Sequence, residues 1–155
     1  MREESGVAPT QVSDLLNQVL AEGIDLAGQC KQAHWNVKGP TFIALHKLFD
    51  DITGEIQEYV DLVAERVVQL GHTPLGTIRV VAQRSTLAEY PLGIVTAAEH
   101  VTALSGALAA FGRSIATGMD TASQLGDAVT ADILTQIARG IAKSLWFVEA
   151  HQHGA

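Results

Sequence analysis

A single cysteine in 155 residues excludes an internal disulfide. That residue, Cys30, falls on an apolar helical face, reads as a small buried hydrophobe, and leaves a reducing compartment as the simpler setting. Aromatic side chains are scarce at 5%, and four prolines sit well apart in a chain dominated by Ala, Leu, Val and Ile. Strands are therefore disfavoured, and an all-α chain is expected. Basic residues are also few: 10 Lys and Arg stand against 17 Asp and Glu, a formal charge of -7. Such a chain lacks the basic footprint that nucleic-acid binding requires, whereas an acidic balance suits cations. No stretch approaches the roughly 18 uninterrupted apolar residues of a membrane span, and MREESGVAPTQ has no charged segment followed by an apolar run. A cytoplasmic setting, nucleoid-associated at most, is expected, with no membrane contact.

What the chain does have is helical periodicity and, at 47% hydrophobic residues, enough apolar side chain for one sizeable core. Residues 1 to 9 read as a flexible tail, 10 to 150 as one four-helix domain, and 151 to 155 as a short polar tail. From Thr10 onward Val12, Leu15, Leu16, Val19, Gly23, Leu26, Cys30, Ala33 and Val37 recur at three- and four-residue steps, predicting a first helix that Gly39-Pro40 ends. A second helix starts at about Thr41, with Pro40 close to its first turn. It carries Leu45, Leu48, Phe49, Ile52, Ile56, Tyr59, Val63, Val67 and Leu70 and stops at Gly71. The span from His72 to Gly93 is too long for a tight turn and has room for a short helix around Ile78 to Arg84. Thr96 and Glu99 form a capping box ahead of a third helix, Gly118 and Gly126 bracket an expected polar linker, and Asp127 is a good N-cap for a fourth. Short links within each helix pair and a long link between the pairs predict a four-helix bundle with one crossover.

The chemistry concentrates between Lys31 and Gly71. His46, Asp50, Asp61 and Glu65 lie on the second helix and His34 near the end of the first, offering the imidazole nitrogens and carboxylate oxygens that transition metals take. His46 with Asp50, and Asp61 with Glu65, are i, i+4 pairs, so each pair shares a face. Asp50 and Asp61 differ by only about 20° in azimuth, yet stand roughly 16 Å apart along the axis. One ion cannot touch both. If this helix packs antiparallel on its own copy about a two-fold axis near Gly54, Glu55 and Ile56, the His46/Asp50 end of one chain meets the Asp61/Glu65 end of the other, twice. A di-iron centre inside one bundle would instead use Glu-x-x-His motifs. None of the nine glutamates has a histidine three residues on.

The strings AHWNVKGPTFIALHKLFD, DLVAERVVQLG, LAEYPLG, TADIL and LWFVEAH together resemble the Dps family, the ferritin-like DNA-binding proteins from starved cells, over roughly residues 10 to 150. The resemblance implies a ferritin-like fold and a hollow homo-dodecamer built from two-fold dimers. It also implies a ferroxidase that oxidises Fe(II) to Fe(III), with hydrogen peroxide preferred to oxygen, and that stores ferric mineral. As ligands it implies His34, His46 and Asp50 from one subunit and Asp61 and Glu65 from its partner, with iron as the metal and zinc as a competing ion. By the same resemblance Trp35 lies near the oxidation centre, where it orients ligands or intercepts radicals, although core packing would equally account for it. Asp51 is either a mineral-nucleating or a solvated carboxylate, and Lys47 stands where some relatives carry an acid. Asp127 and Asp132 resemble pore-lining acids, Asp127 having its helix-cap role as well, and His72 is a candidate extra ligand. His100 reads as structural, Trp146 as a packing residue at an interface, and His151 and His153 as tail residues with weak metal binding at most. The chain ends lack the lysine runs that hold DNA phosphates, so direct DNA binding is expected to be weak or absent. The alternative function is a cage that buffers iron or zinc without oxidising it.

Overall fold

Apolar residues at three- and four-residue steps favour helices of several turns. In the computed structural model, which describes residues 4–152, these are α1 (Glu4–Asn36), α2 (Phe42–Gln69), the short α3 (Ile78–Arg84), α4 (Ala97–Gln124) and α5 (Ala128–Glu149), followed by a 3-10 turn, Ala150–Gln152. Among the described residues there is no strand, only an isolated bridge between Lys38 and Thr96. The architecture is the expected all-α bundle, with α3 where the crossover left room for it.

Three boundaries differ from the expectation. α1 begins at Glu4, so residues 4–9, expected as tail, are helical in backbone, and Pro9 lies within the second turn. A proline this close to a free helix end disturbs only the first turn. α1 ends at Asn36, short of the expected Gly39-Pro40 stop, while α2 starts where expected, with Thr41 as N-cap and Pro40 just ahead of it. Gly39 takes φ 115° in the link between them, a left-handed conformation that a side chain would resist. The polar linker expected from Gly118 does not form, because α4 continues to Gln124. Gly118 is buried at a close approach of helices: a Cβ there would come within 3.1 Å of Leu134 and 3.4 Å of Leu15. Its small size, not a turn, is what that position requires.

The Lys38–Thr96 bridge sets the α1–α2 link beside the start of α4, while α1 packs on α2 and α4, and α5 packs on α4 and α2. Each of these four pairs therefore runs antiparallel, and the crossover returns the chain along α1. Leu16, Leu26, Phe49, Ile56, Leu108 and Ile137 are among the side chains that fill the core between the four long helices. The crossover is held to α1 by polar side chains. Asn17 donates to the Thr73 carbonyl at 3.2 Å and accepts from the Leu75 N–H at 2.8 Å. Gln18 donates to the Arg84 carbonyl at 2.9 Å, Thr86 to Glu22 at 2.6 Å, Ser85 to Asp25 at 2.5 Å, and Gln29 to the Ala88 carbonyl at 3.1 Å. These bonds accompany the burial of Asn17, Glu22 and Gln29, although one carboxylate oxygen of Glu22, Oε2, has no partner.

Candidate metal centre

The short link between α1 and α2 folds the last turn of one helix onto the first turn of the other, and this is where the two histidines meet. The rings of His34 and His46 stack 3.7 Å apart at 15°, with Phe42 against the outer face of His46 at 4.9 Å. Each ring is tied to the other residue's backbone: His34 Nδ1–H donates to the His46 carbonyl at 2.6 Å, and His46 Nδ1–H donates to the His34 carbonyl at 2.7 Å. A carbonyl oxygen can only accept, so both Nδ1 atoms carry the proton. In the neutral imidazole this tautomer leaves the lone pair on Nε2 of each ring. A carbonyl partner on the second ring nitrogen is the arrangement that fixes the tautomer and orientation of a metal-binding imidazole.

Asp50 lies one turn beyond His46 on the exposed side of α2 and forms an ion pair with Lys31 of α1. The Lys31 ammonium, through its hydrogen bond and charge, holds the Asp50 carboxyl below its ordinary range. In the isolated chain this carboxylate is therefore engaged by Lys31. Asp61 and Glu65 are exposed further along α2 and make no hydrogen bond or ion pair within the described residues. Among those residues no three His, Cys, Asp or Glu side chains gather into a cage of their own. One chain thus presents the His34–His46 pair with Asp50 at one end of α2, and two unengaged carboxylates towards the other.

Between these ends Asp50, Gly54, Gln57, Asp61 and Glu65 form one exposed stripe. Two of the three residues expected at the centre of a helix pairing are off this stripe: Ile56 is fully buried and Glu55 accepts from Ser144 of α5 at 3.2 Å. Gly54 and Gln57 are on it. Trp35 is 67% exposed, which removes core packing as its explanation. It borders a groove of about 440 Å³ shared with Lys31, Thr53, Gln57 and Val60, alongside the same stripe.

The remaining candidates are scattered. Asp51 is exposed and borders a groove of about 520 Å³ with Glu55, Glu58 and Lys143, on the side of α2 where Asp50 and Gly54 also line it. Asp127 caps α5 by accepting from the Thr130 N–H at 2.9 Å and pairs with Arg66 of α2 at 3.0 Å. Burial would raise its carboxyl, but the Thr130 hydrogen bonds and Arg66 outweigh burial and hold it low. Its oxygens are committed to the fold. Asp132 is exposed on the second turn of α5, and His72 is half-buried just past α2, at the end opposite His46. His151 Nδ1–H donates to the Phe147 carbonyl at 2.8 Å, and His153 lies outside the described residues. Trp146 is 66% exposed and packs on Phe147. Sequence reasoning missed Lys31 as a partner of the site, although its place one turn before His34 was a usable signal.

Residues 13–153 match the ferritin-like domain family. A DNA protection during starvation protein of Agrobacterium fabrum is 44% identical over 144 residues, spanning 93% of this chain and 89% of that one. The chain belongs to the Dps branch of the ferritin-like family. Solved Dps structures agree in shape: the tetragonal form of Mycobacterium smegmatis Dps superposes with a TM-score of 0.93 at 32% identity, over 100% of this chain and 93% of that one. A Dps protein from Bacillus brevis does so at 0.89 and 30% identity, over 95% and 98%. Dps membership implies iron binding and storage and protection under stress.

Proposed function

We propose that this Dps chain oxidises ferrous iron at centres completed by two protomers, His34, His46 and Asp50 coming from one and Asp61 and Glu65 from the other. The reciprocal His34–His46 lock supports this most directly, because it presents two Nε2 lone pairs at a surface where the chain supplies only part of a ligand set. Ferrous iron is the substrate. The carboxylates neutralise its charge, the imidazoles hold it in a borderline N/O environment, and the open side of the half-site admits the oxidant. Two ferrous ions give one electron each to hydrogen peroxide, which with two protons leaves as two waters, so no hydroxyl radical is released. Product Fe(III) then collects as mineral inside a homo-dodecamer of two-fold dimers. The supporting experiment is an anaerobic ferrous titration of the assembled protein followed by oxygen in one sample and peroxide in another. Faster oxidation with peroxide is expected; bound iron that neither oxidant converts would select the metal-buffering cage instead.

A further inference from the structure

Tyr90 and His100 meet in the core and take no part in the site described above. Tyr90 lies late in the crossover and His100 in the first turn of α4, and they are 7% and 1% exposed. The Tyr90 hydroxyl is 2.5 Å from His100 Nδ1, and His100 Nε2 has no partner. Two proton arrangements fit that contact. If His100 Nδ1–H donated, the phenolic proton and the Nε2 lone pair would both be left unpaired in the core. If the phenol donates to Nδ1, only the Nε2 proton is left. A buried group without a partner costs free energy each time, so the phenol is the donor.

The resting pair is neutral on both sides: burial pushes the Tyr90 phenol well above its ordinary value and the His100 imidazole below its own. Cys30 lies near enough that its charge would raise the phenol further. On α1 Cys30 precedes His34 by one helical turn, roughly 6 Å of axial rise. Cys30 itself is no donor of this kind, since burial raises its thiol to about 12 and keeps it protonated. It does place the phenol in the dry core that backs the histidine end of α1.

We propose that Tyr90 is a built-in one-electron donor, with His100 Nδ1 as the acceptor of its proton. The source of the oxidant rests on the ferroxidase reading. When only one ferrous ion meets a peroxide, the iron supplies one electron and a hydroxyl-radical equivalent remains. Tyr90 supplies the second. One ferrous ion, one peroxide, the phenol and the neutral imidazole become ferric ion, two hydroxides, a phenoxyl radical and an imidazolium. The next ferrous ion returns an electron to the phenoxyl, and the proton goes back along the same hydrogen bond. Glu99 favours the transient imidazolium, whereas burial disfavours its persistence, so the device resets.

The test is freeze-quench electron paramagnetic resonance of the whole protein in two arms. One arm supplies limiting ferrous iron with excess peroxide; the other is iron-free and uses flash-generated ruthenium(III) tris-bipyridine as the oxidant. A tyrosyl signal is expected in both, narrowed by ring-deuterated tyrosine, lost in Tyr90→Phe and kept in Tyr59→Phe. His100→Gln should reduce its yield, because Gln cannot take the proton. A signal on tryptophan, on Tyr59, or undiminished in Tyr90→Phe overturns the proposal, and an unchanged yield in His100→Gln overturns the role of His100. Deuterated wild-type protein reports the radical type even if a variant folds poorly. A radical in the iron-free arm without iron oxidation in the other would retain Tyr90 as donor and sink the ferroxidase reading alone; iron oxidation with no radical in either arm would do the reverse.

Discussion

His34 and His46 are held by each other's carbonyls, so neither ring is oriented independently, and a change at one is felt by both. His46→Ala should therefore remove one ligand and loosen the second, slowing peroxide-driven iron oxidation in a stopped-flow assay. Asp61→Asn removes a charge from an exposed residue without a partner in the described chain. It should slow the same reaction while shifting unfolding by no more than about 0.5 kcal/mol, as for an ordinary surface substitution. Unchanged oxidation rates in both variants would contradict the assignment. Lys31→Gln frees Asp50 from its resident cation and should tighten anaerobic ferrous binding; weaker binding would mean that Lys31 supports the site instead of competing with it. That His46 with Asp50, and Asp61 with Glu65, share faces of α2 was legible because that spacing is set by helix geometry. Which nitrogen of each histidine stays free was not, because that depends on where two backbone carbonyls point after α1 folds onto α2.

The elements carry separable tests. Asp127 caps α5 and ties it to α2 through Arg66, so Asp127→Ala removes a cap and leaves a guanidinium unpaired. Loss of the cap alone costs about 1 kcal/mol, measurable by denaturant unfolding. Its folded carboxyl is held below the unfolded value, so this stability is present above about 3.9, the ordinary Asp value. It disappears as pH falls through the lower folded value. Asp127→Ala should accordingly flatten the acid limb of the stability profile, and an unchanged limb would show that the cap is not linked to protonation. Gly140 on α5 lies under the Tyr59 hydroxyl, where an added Cβ has no room. Gly140→Ala should destabilise by about 1–3 kcal/mol through overpacking, and a neutral result would mean that Tyr59 swings away freely. The Thr96/Glu99 capping box and the Asp127 cap made α4 and α5 legible at their starts, and the length of the crossover left room for α3. The buried polar row Asn17, Glu22 and Gln29 was not, because a polar stripe at helical spacing looks the same whether it faces water or a crossover that folds back over it. Gly118 misled for a related reason: glycine marks a turn in sequence, but here it makes room for Leu15 and Leu134.

At the scale of the whole molecule, the proposed shared centre rests on the exposed stripe Asp50, Gly54, Gln57, Asp61 and Glu65. With a net charge of -7, the assembled, metal-free protein should give no gel shift with duplex DNA at physiological salt, and a clear shift would overturn that expectation. The two-half reading was available from sequence because a rise of roughly 16 Å separates Asp50 from Asp61 on any straight helix. Which residues of α2 stay exposed for such a pairing needed the structure, which buries Ile56 and turns Glu55 to Ser144. The most direct test of a shared centre is to co-express His46→Ala and Asp61→Asn chains and measure iron oxidation in the mixed assembly. A heterodimer then has one site with both defects and one with neither, so random pairing restores roughly a quarter of the sites by two-fold symmetry. Activity near that fraction of wild type, well above either parent, is the predicted result. Activity no higher than the parents' would place all five ligands within one chain and contradict the account.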